Sequence, residues 1–198
     1  VPTVTMGRLI ELDASDIEDD ERHRFRAQEL RVRGLRLRNE GEHAQAEVSL
    51  REAVELLRAR CRRDFEDTTC QRDLSVVHNN LGGVLRAQED LDGALSAYSR
   101  ALIIRESLVE QNPDNALRQR DLFVSLFLMG DVYRAQEENV FALVAFHDAR
   151  DAIEWASVLE PTYGGHRRDL AVVHMRMGTV FRKMRNLPAA LSAFREGL

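Results

Sequence analysis

Histidine and cysteine are the residues of this chain that could most readily support catalysis or metal binding. The six histidines are dispersed, and Cys61 and Cys70 do not form a Cys-x-x-Cys pair. Zinc sites usually draw their ligands from closely spaced pairs of such residues. The sequence also lacks a Walker loop, a Gly-x-Ser-x-Gly motif and a His-Glu-x-x-His motif. We therefore expect no catalytic site, no metal and no cofactor, and predict that the chain is not an enzyme.

Arginine offers a different chemistry, the binding of carboxylates. Lys183 is the only lysine among the 28 basic residues, so nearly every cation is a planar guanidinium that can make two parallel hydrogen bonds. Four arginines recur at one constant interval along the chain: Arg38, Arg86, Arg134 and Arg182. We name these four the arginine column. Such a row suits an extended or helical acidic segment, although the four could instead pair with neighbouring helices or be solvated.

The interval of the arginine column is that of an internal repeat. The tripeptide Arg-Asp-Leu begins at residues 72, 120 and 168. Glycine recurs in four copies, as do an alanine and a bulky residue: Gly34, Gly82, Gly130 and Gly178; Ala46, Ala94, Ala142 and Ala190; Leu50, Tyr98, Phe146 and Phe194. We expect the glycines to mark close helix packing, and the Arg-Asp pairs either to join successive copies as ion pairs or to form a contact surface.

Each copy reads as two helices. Apolar residues recur at steps of three and four in both halves of a copy, which is the period of an amphipathic helix. The segment 112–115, Asn-Pro-Asp-Asn, interrupts the pattern, and Asn115 can cap the helix that follows. The third copy therefore predicts helices near 115–136 and 139–159, and the helices of the other copies follow by shifts of one repeat length.

The repeat resembles the tetratricopeptide repeat family. The residues that carry the resemblance in the second copy are Gly82, Leu85, Ala94, Tyr98 and Ala101. The period exceeds the family's usual 34 residues by 14 and is similar to that of kinesin-light-chain-like and bacterial multidomain members. The resemblance implies an all-α, right-handed solenoid of about four helix-turn-helix repeats over 22–198 (22–66, 67–114, 115–162 and a truncated 163–198).

The resemblance also implies a concave groove lined by the first helix of each repeat. The candidate partner-binding residues, all in columns that would face this groove, are Arg38, Arg86, Arg134, Arg182, Asn79, Val76, Val124, Phe127, Asp131, Val172 and Met175. We interpret the chain as a scaffold that captures a protein or peptide segment there. Arg31 and Leu35 stand where chaperone-binding members have lysine and asparagine, which argues against that ligand.

The N-terminal segment 1–21 is an acidic arm or linker by composition. It contains seven acidic residues and one base, Arg8, whereas the whole chain carries a net charge of −5. The remainder is thus nearly neutral, which argues against binding RNA or DNA. The arm is either a linker from an upstream domain or a segment that docks on the groove of its own chain, where its charge would match the arginine column.

Further expectations concern location and assembly. No stretch of 18 apolar residues and no secretory signal is recognisable, so we expect a cytoplasmic, bacterial-type protein without membrane association. We expect Cys61 and Cys70 to be free thiols in a reducing compartment. The fourth repeat ends inside its second helix, at Leu198. The alternative function is therefore a self-assembly or regulatory domain that packs on neighbouring domains, including a homo-oligomer formed through this open repeat.

Overall fold

The computed structural model describes residues 14–198, with side chains from residue 20 onward. This part of the chain forms eight α-helices and no strand: α1 Ala14–Asn39, α2 His43–Arg63, α3 Thr68–Ala87, α4 Leu91–Gln111, α5 Ala116–Ala135, α6 Asn139–Leu159, α7 Gly165–Lys183 and α8 Leu187–Glu196. Each helix packs on the next, so the chain is an all-α solenoid of four helix pairs. The right-handed, tetratricopeptide-like solenoid predicted from the sequence is confirmed.

The helix boundaries follow the repeat closely. Helices α5 and α6 match the predicted ranges within one residue at each end. The Asn115 side chain accepts a hydrogen bond from the Arg118 backbone N–H at 3.1 Å, which confirms the predicted cap. Helix α1 begins at Ala14, so residues 14–21 of the acidic segment are helical. The rest of the predicted arm lies outside the described residues.

The recurring glycines, which we call the glycine column, set how closely the two helices of a pair approach; they are Gly34, Gly82, Gly130 and Gly178. A Cβ built on Gly82 would lie 2.5 Å from Tyr98 Cε1, and one on Gly130 would lie 2.6 Å from Phe146 Cε1. Both rings are fully buried. The aromatic residue of the second helix therefore lies directly against the backbone of the first. This contact explains why glycine recurs, since its presence in a helix costs about 1 kcal/mol relative to alanine.

A left-handed residue ends the first helix of every pair. Gly41, Glu89, Glu137 and Arg185 occupy the same position in the four copies, and their φ angles are 85°, 65°, 66° and 60°. The second helix begins two residues later, so this residue turns the chain tightly. Only the first copy has glycine there, although the left-handed region disfavours residues with a Cβ.

The Arg-Asp-Leu motif joins successive pairs, as one of its two interpretations predicted. Arg72 Nε lies 2.5 Å from Asp121 Oδ2 and Arg120 Nε lies 2.9 Å from Asp169 Oδ2. The first pair continues the series with a longer contact, Arg24 to Asp73 at 3.9 Å. These ion pairs form a ladder along the N-terminal ends of α3, α5 and α7.

The prediction that the cysteines are free thiols is wrong in this structure. Cys61 lies in the last turn of α2 and Cys70 in the first turn of α3, and their sulfur atoms form a disulfide. The short connection between the two helices brings their Cα atoms to 5.7 Å, a separation that suits a disulfide. The sequence places both cysteines near one turn between helices, but whether their sulfur atoms meet depends on the angle at which the chain turns.

Candidate partner-binding groove

The first helices of the pairs bring part of the predicted site together. Arg38, Val76, Asn79, Arg86 and Val124 line one depression of about 540 Å³ that spans α1, α3 and α5. These residues come from three different repeats and from three of the columns that the sequence analysis assigned to a groove. We call the face that these first helices share, which holds this depression, the groove from here on, and partner binding within it stays a prediction.

The remaining members of the arginine column lie further along. Arg134 and Arg182 line a second depression of about 300 Å³, together with Thr179 and Lys183. Each column arginine lies in the last turn of its helix, where a cation also interacts favourably with the helix dipole. This placement gives the column a structural role whether or not it binds a partner.

The three predicted apolar residues of the later repeats have different surroundings. Phe127 is half-buried, and its ring lies 5.7 Å from the rings of both Phe123 and Phe146. Val172 and Met175 are exposed on α7 and lie outside both depressions. Phe127 thus contributes chiefly to core packing, whereas Val172 and Met175 remain available to a partner.

Asp131 is a buried ion-pair centre. Its side chain is only 6% exposed, and it lies near arginines of three successive first helices. Arg134 Nε is 3.3 Å from Oδ1, Arg176 Nε is 3.0 Å from Oδ1, and Arg86 Nη1 is 3.8 Å from Oδ2. The interpretation of the column as structural ion pairs therefore holds for two of its members.

The other two column members have no such partner. Among the described residues, no carboxylate lies within 4.0 Å of the guanidinium of Arg38 or Arg182. Three arginines share the single carboxylate of Asp131, which leaves a surplus of positive charge along the groove. The groove is thus cationic even though the chain as a whole is acidic.

A buried arginine lies beneath the groove. Arg105 of α4 is 3% exposed and lines the depression. It donates from Nε to Ser75 Oγ at 3.1 Å, and from Nη1 to Ser125 Oγ at 3.0 Å and to the Asp121 carbonyl oxygen. With its amide oriented to suit its neighbours, Asn79 accepts from Arg105 Nη1 at 2.7 Å. Burial lowers the pKa of Arg105 to about 10, and the nearby carboxylate of Asp121 opposes that change.

Several polar atoms of residues that line the depression lack a hydrogen-bond partner among the described residues. Tyr98 is fully buried, and its hydroxyl makes no hydrogen bond to any described residue, which leaves a donor unsatisfied. The amide nitrogen of Asn80 and Nδ1 of His43, which also line the depression, are unpaired as well. Burial raises the pKa of the Tyr98 phenol. The floor of the groove therefore contains two donors without acceptors, the Tyr98 hydroxyl and the Asn80 amide nitrogen.

The sequence analysis missed most of this polar cluster, although the repeat contains a signal for it. Each of its members is polar at a position where other copies are mainly apolar. Arg105 aligns with Leu57 and Ile153, and Tyr98 aligns with leucine or phenylalanine in the other three copies. Ser75, Asn79 and Ser125 depart from their columns in the same way. A search for polar exceptions within apolar columns would have found the cluster.

No metal site or membrane span emerges from the described residues. Within 14–198, no group of three or more His, Cys, Asp or Glu side chains could hold a metal ion. The same part of the chain contains no helix that is both long and apolar enough to cross a bilayer. His78 is buried, and burial together with Arg58 and Arg100 lowers its pKa to about 4.

Comparisons with known proteins agree with the architecture. The four helix pairs define a helical-repeat solenoid, a class that binds other proteins along extended surfaces. The sequence profile of the tetratricopeptide repeat matches residues 79–115. This match agrees with the resemblance to the tetratricopeptide repeat that the sequence shows at Gly82, Leu85, Ala94, Tyr98 and Ala101. A search of curated proteins finds no significant match.

Solved structures with similar helical repeats include three at low sequence identity. A crystal structure of MamA is 15% identical, with 83% of this chain and 91% of that chain covered and a TM-score of 0.39. BtubC (BKLC) from P. vanneervenii is 12% identical, with coverages of 93% and 90% and a TM-score of 0.46. MamA from Desulfovibrio magneticus RS-1, residues 41 to the end, is 19% identical, with coverages of 87% and 93% and a TM-score of 0.28. Similarity at this level says nothing about the partner.

Proposed function

We propose that the chain is a non-enzymatic scaffold that binds an acidic segment of another protein in the groove through the arginine column. The main observation that supports this proposal is the surplus of cations along the groove. Arg86, Arg134 and Arg176 surround one carboxylate, while Arg38 and Arg182 have none within 4.0 Å among the described residues. Guanidinium groups that are held on rigid helices and have no carboxylate partner favour carboxylate ligands.

The geometry favours a separate segment over the acids of the chain's own arm. Helix α1 places Arg38 about 36 Å from Ala14, at 1.5 Å per residue. Glu11 and Asp13 are tethered within about 10 Å of Ala14 by chain length alone, and so cannot reach Arg38. Asp20, another acid of the segment, is part of α1 and pairs with Arg60 at 2.7 Å. Docking of the arm on the groove would therefore have to use residues other than these acids.

A defined acidic peptide tests the proposal. The probe is octaglutamate with a blocked C-terminus and a fluorescein label, and its dissociation constant is measured by fluorescence anisotropy. The Arg38→Gln/Arg182→Gln variant removes the two column arginines without a carboxylate partner, and we expect it to bind at least 10-fold more weakly. The matched control is Arg33→Gln/Arg195→Gln, which removes the same charge outside the predicted groove columns.

The outcomes separate clearly. Weaker binding by the column variant with unchanged binding by the control supports a groove that recognises carboxylates. Equal losses in both variants would mean that the peptide responds only to overall charge. No detectable binding by the wild-type chain would contradict the proposal altogether. Circular dichroism of all variants establishes that each is folded.

Self-assembly is a second candidate, favoured by exposed apolar residues on α8. Leu187 is 64% exposed and Leu191 is 52% exposed, and they lie one turn apart on the same helix face. We propose that this face packs against a neighbouring domain or a second copy of the chain. Light scattering coupled to size exclusion tests the latter, since Leu191→Glu would then reduce a concentration-dependent mass.

The cytoplasmic location stays a prediction. The disulfide between Cys61 and Cys70 argues against it, because disulfides are rare in reducing compartments. Mass spectrometry of the chain isolated under rapid thiol blocking would measure how much of the pair is oxidised. A fully reduced pair would agree with a cytoplasmic protein.

A further inference from the structure

The third repeat contains a carboxylate that the second repeat lacks. Asp131 and Gly83 occupy the same position in successive repeats. Asp131 lies near Arg86, the column member of the preceding repeat, and near Arg134, the column member of its own repeat. One repeat earlier, the equivalents of these two arginines are Arg38 and Arg86, whereas Leu128 is the equivalent of Arg176, the third arginine near Asp131. The second repeat therefore keeps both arginines but replaces the carboxylate between them with a glycine.

We propose that a carboxylate of the bound acidic segment takes, at Gly83, the place that the Asp131 side chain takes one repeat later. This proposal rests on the proposed function and specifies where the groove recognises its ligand. We call this place the Gly83 site. Its donors would be Arg38 and Arg86, with the hydroxyl of Tyr98 below them. The ligand class is an acidic peptide that contributes one carboxylate here.

The distances around Gly83 fit this assignment. A Cβ at Gly83 would lie 3.4 Å from Arg38 Nη1 and 3.8 Å from the Tyr98 hydroxyl oxygen. A small group in this space therefore lies next to a guanidinium and a hydroxyl at once. Because glycine has no side chain, the space opens into the depression of about 540 Å³. A ligand can enter it from the groove.

The Tyr98 hydroxyl is the second, independent observation. The side chain is fully buried, and its hydroxyl has no hydrogen-bond partner within the part of the chain that the structure describes. The equivalent residues Phe146 and Phe194 lack the hydroxyl, and Phe146 packs as closely against its own glycine. Packing alone therefore requires only the ring. A carboxylate at the Gly83 site would give this donor the acceptor it lacks, which is worth more for a charged acceptor than for a neutral one.

The buried Arg105 strengthens the electrostatic case. It lines the same depression, and its hydrogen bonds go to two serine hydroxyls, the Asp121 carbonyl oxygen and the Asn79 amide, all of which are neutral. The nearest carboxylate, that of Asp121, is already engaged by Arg72 at 2.5 Å. A cation in a low-dielectric environment raises the affinity of the neighbouring surface for an anion. The Gly83 site thus has positive charge beside it and beneath it.

The decisive variant is Gly83→Asp. It supplies a carboxylate within the chain, as Asp131 does in the third repeat, and should block the Gly83 site. With the blocked octaglutamate probe, we expect Gly83→Asp to weaken binding at least 10-fold, whereas Gly83→Asn, which has nearly the same shape, weakens it less than about 3-fold. Gln28→Asp adds the same charge on α1, outside the depression that Gly83 lines, and controls for general repulsion. Urea denaturation of each variant establishes that it is folded.

Tyr98→Phe tests the site without adding charge. Removing the hydroxyl should weaken octaglutamate binding about 10-fold, because a hydrogen bond to a charged group is lost. The same variant should unfold at a higher urea concentration, since an unsatisfied buried donor is removed. Tyr133→Phe, at a tyrosine that does not line the depression, controls for the loss of a hydroxyl. Weaker binding together with higher stability is a combination that a merely structural hydroxyl would not produce.

A second probe distinguishes the source of the carboxylate. An eight-residue glycine–serine peptide with a free C-terminus carries only a terminal carboxylate, and its amidated form carries none. Preferential binding of the free form, lost in Gly83→Asp, would assign the site to a chain terminus, and binding of octaglutamate alone would assign it to acidic side chains. Either result supports the proposal.

Three outcomes would overturn the proposal, and they differ in whether the proposed function survives. If octaglutamate binds wild type, Gly83→Asp and Tyr98→Phe equally but binds Arg38→Gln/Arg182→Gln weakly, the Gly83 site is refuted and the proposed function remains. If octaglutamate does not bind the wild-type chain, both the proposed function and the Gly83 site are refuted. Equal losses in Gly83→Asp and Gln28→Asp would likewise refute a specific site.

Discussion

Substituting Gly82 with alanine should destabilise the protein, although alanine is the better helix former. The gain in helix propensity is about 1 kcal/mol. Against it stands the contact of the new Cβ with the Tyr98 ring, at 2.5, 2.7 and 2.9 Å from three ring atoms. The ring is fully buried and cannot move without shifting α4 away from α3, and such overpacking typically costs about 1–3 kcal/mol or more. We expect a net loss of about 1–2 kcal/mol.

The neighbouring glycine provides the control. A Cβ at Gly83 would be no closer than 3.4 Å to its nearest neighbour, the tip of the flexible Arg38 side chain. Gly83→Ala should therefore keep most of the propensity gain and stabilise the protein by up to about 1 kcal/mol. Urea denaturation followed by far-ultraviolet circular dichroism measures both variants against the wild type.

The critical comparison is between the free energies of unfolding of the two variants, because they change adjacent residues of one helix in the same way. We expect them to differ by about 2–3 kcal/mol. If Gly82→Ala is as stable as Gly83→Ala, close approach of the helices does not explain the glycine column. Gly130→Ala, which meets Phe146 at 2.6 Å, should repeat the Gly82 result one copy later.

Three further predictions concern stability. Glu89→Gly should raise the free energy of unfolding by about 1 kcal/mol, since the residue has φ 65°; an unchanged urea midpoint would show that the turn is unstrained. Reduction of the disulfide between Cys61 and Cys70 should lower the free energy of unfolding by about 2–3 kcal/mol. A variant with alanine at both positions should show no effect of dithiothreitol. Neutral His78 contributes stability that is fully present above about pH 6.5, the unfolded pKa, and is lost as pH falls towards 4, the folded pKa. The loss at pH 5 is about 2 kcal/mol, and urea midpoints at pH 7 and 5 should converge in His78→Leu.

The fold was predictable because each copy repeats the same local rules. The break at residues 112–115 and the cap at Asn115 located α5, and the constant period of the repeat then located the equivalent helices. The recurring glycines predicted close packing of the helices. The structure shows which residue packs against them, as in the contact of Gly82 with Tyr98. Periodic patterns report local geometry and packing that all copies share.

The site was less predictable because it depends on departures from the repeat. Asp131 appeared in a groove-facing column, but three helices place arginines around it, and only the fold brings those arginines together. Arg105 lies in a second helix, which no groove pattern would include. The disulfide at Cys61 depends on how the chain turns between two helices. Such contacts belong to one repeat or one junction, so the averaged pattern does not contain them.

The ion-pair ladder makes the two edges of the groove mechanically unequal. Arg72–Asp121 and Arg120–Asp169 fasten neighbouring first helices at their N-terminal ends. At the C-terminal ends stand the column arginines, which repel one another except where Asp131 intervenes. The fastened edge can act as a hinge while the charged edge opens or closes. We therefore expect the curvature of the solenoid to follow ionic strength, with a radius of gyration in small-angle scattering that changes as salt screens the arginines or an acidic ligand draws them together.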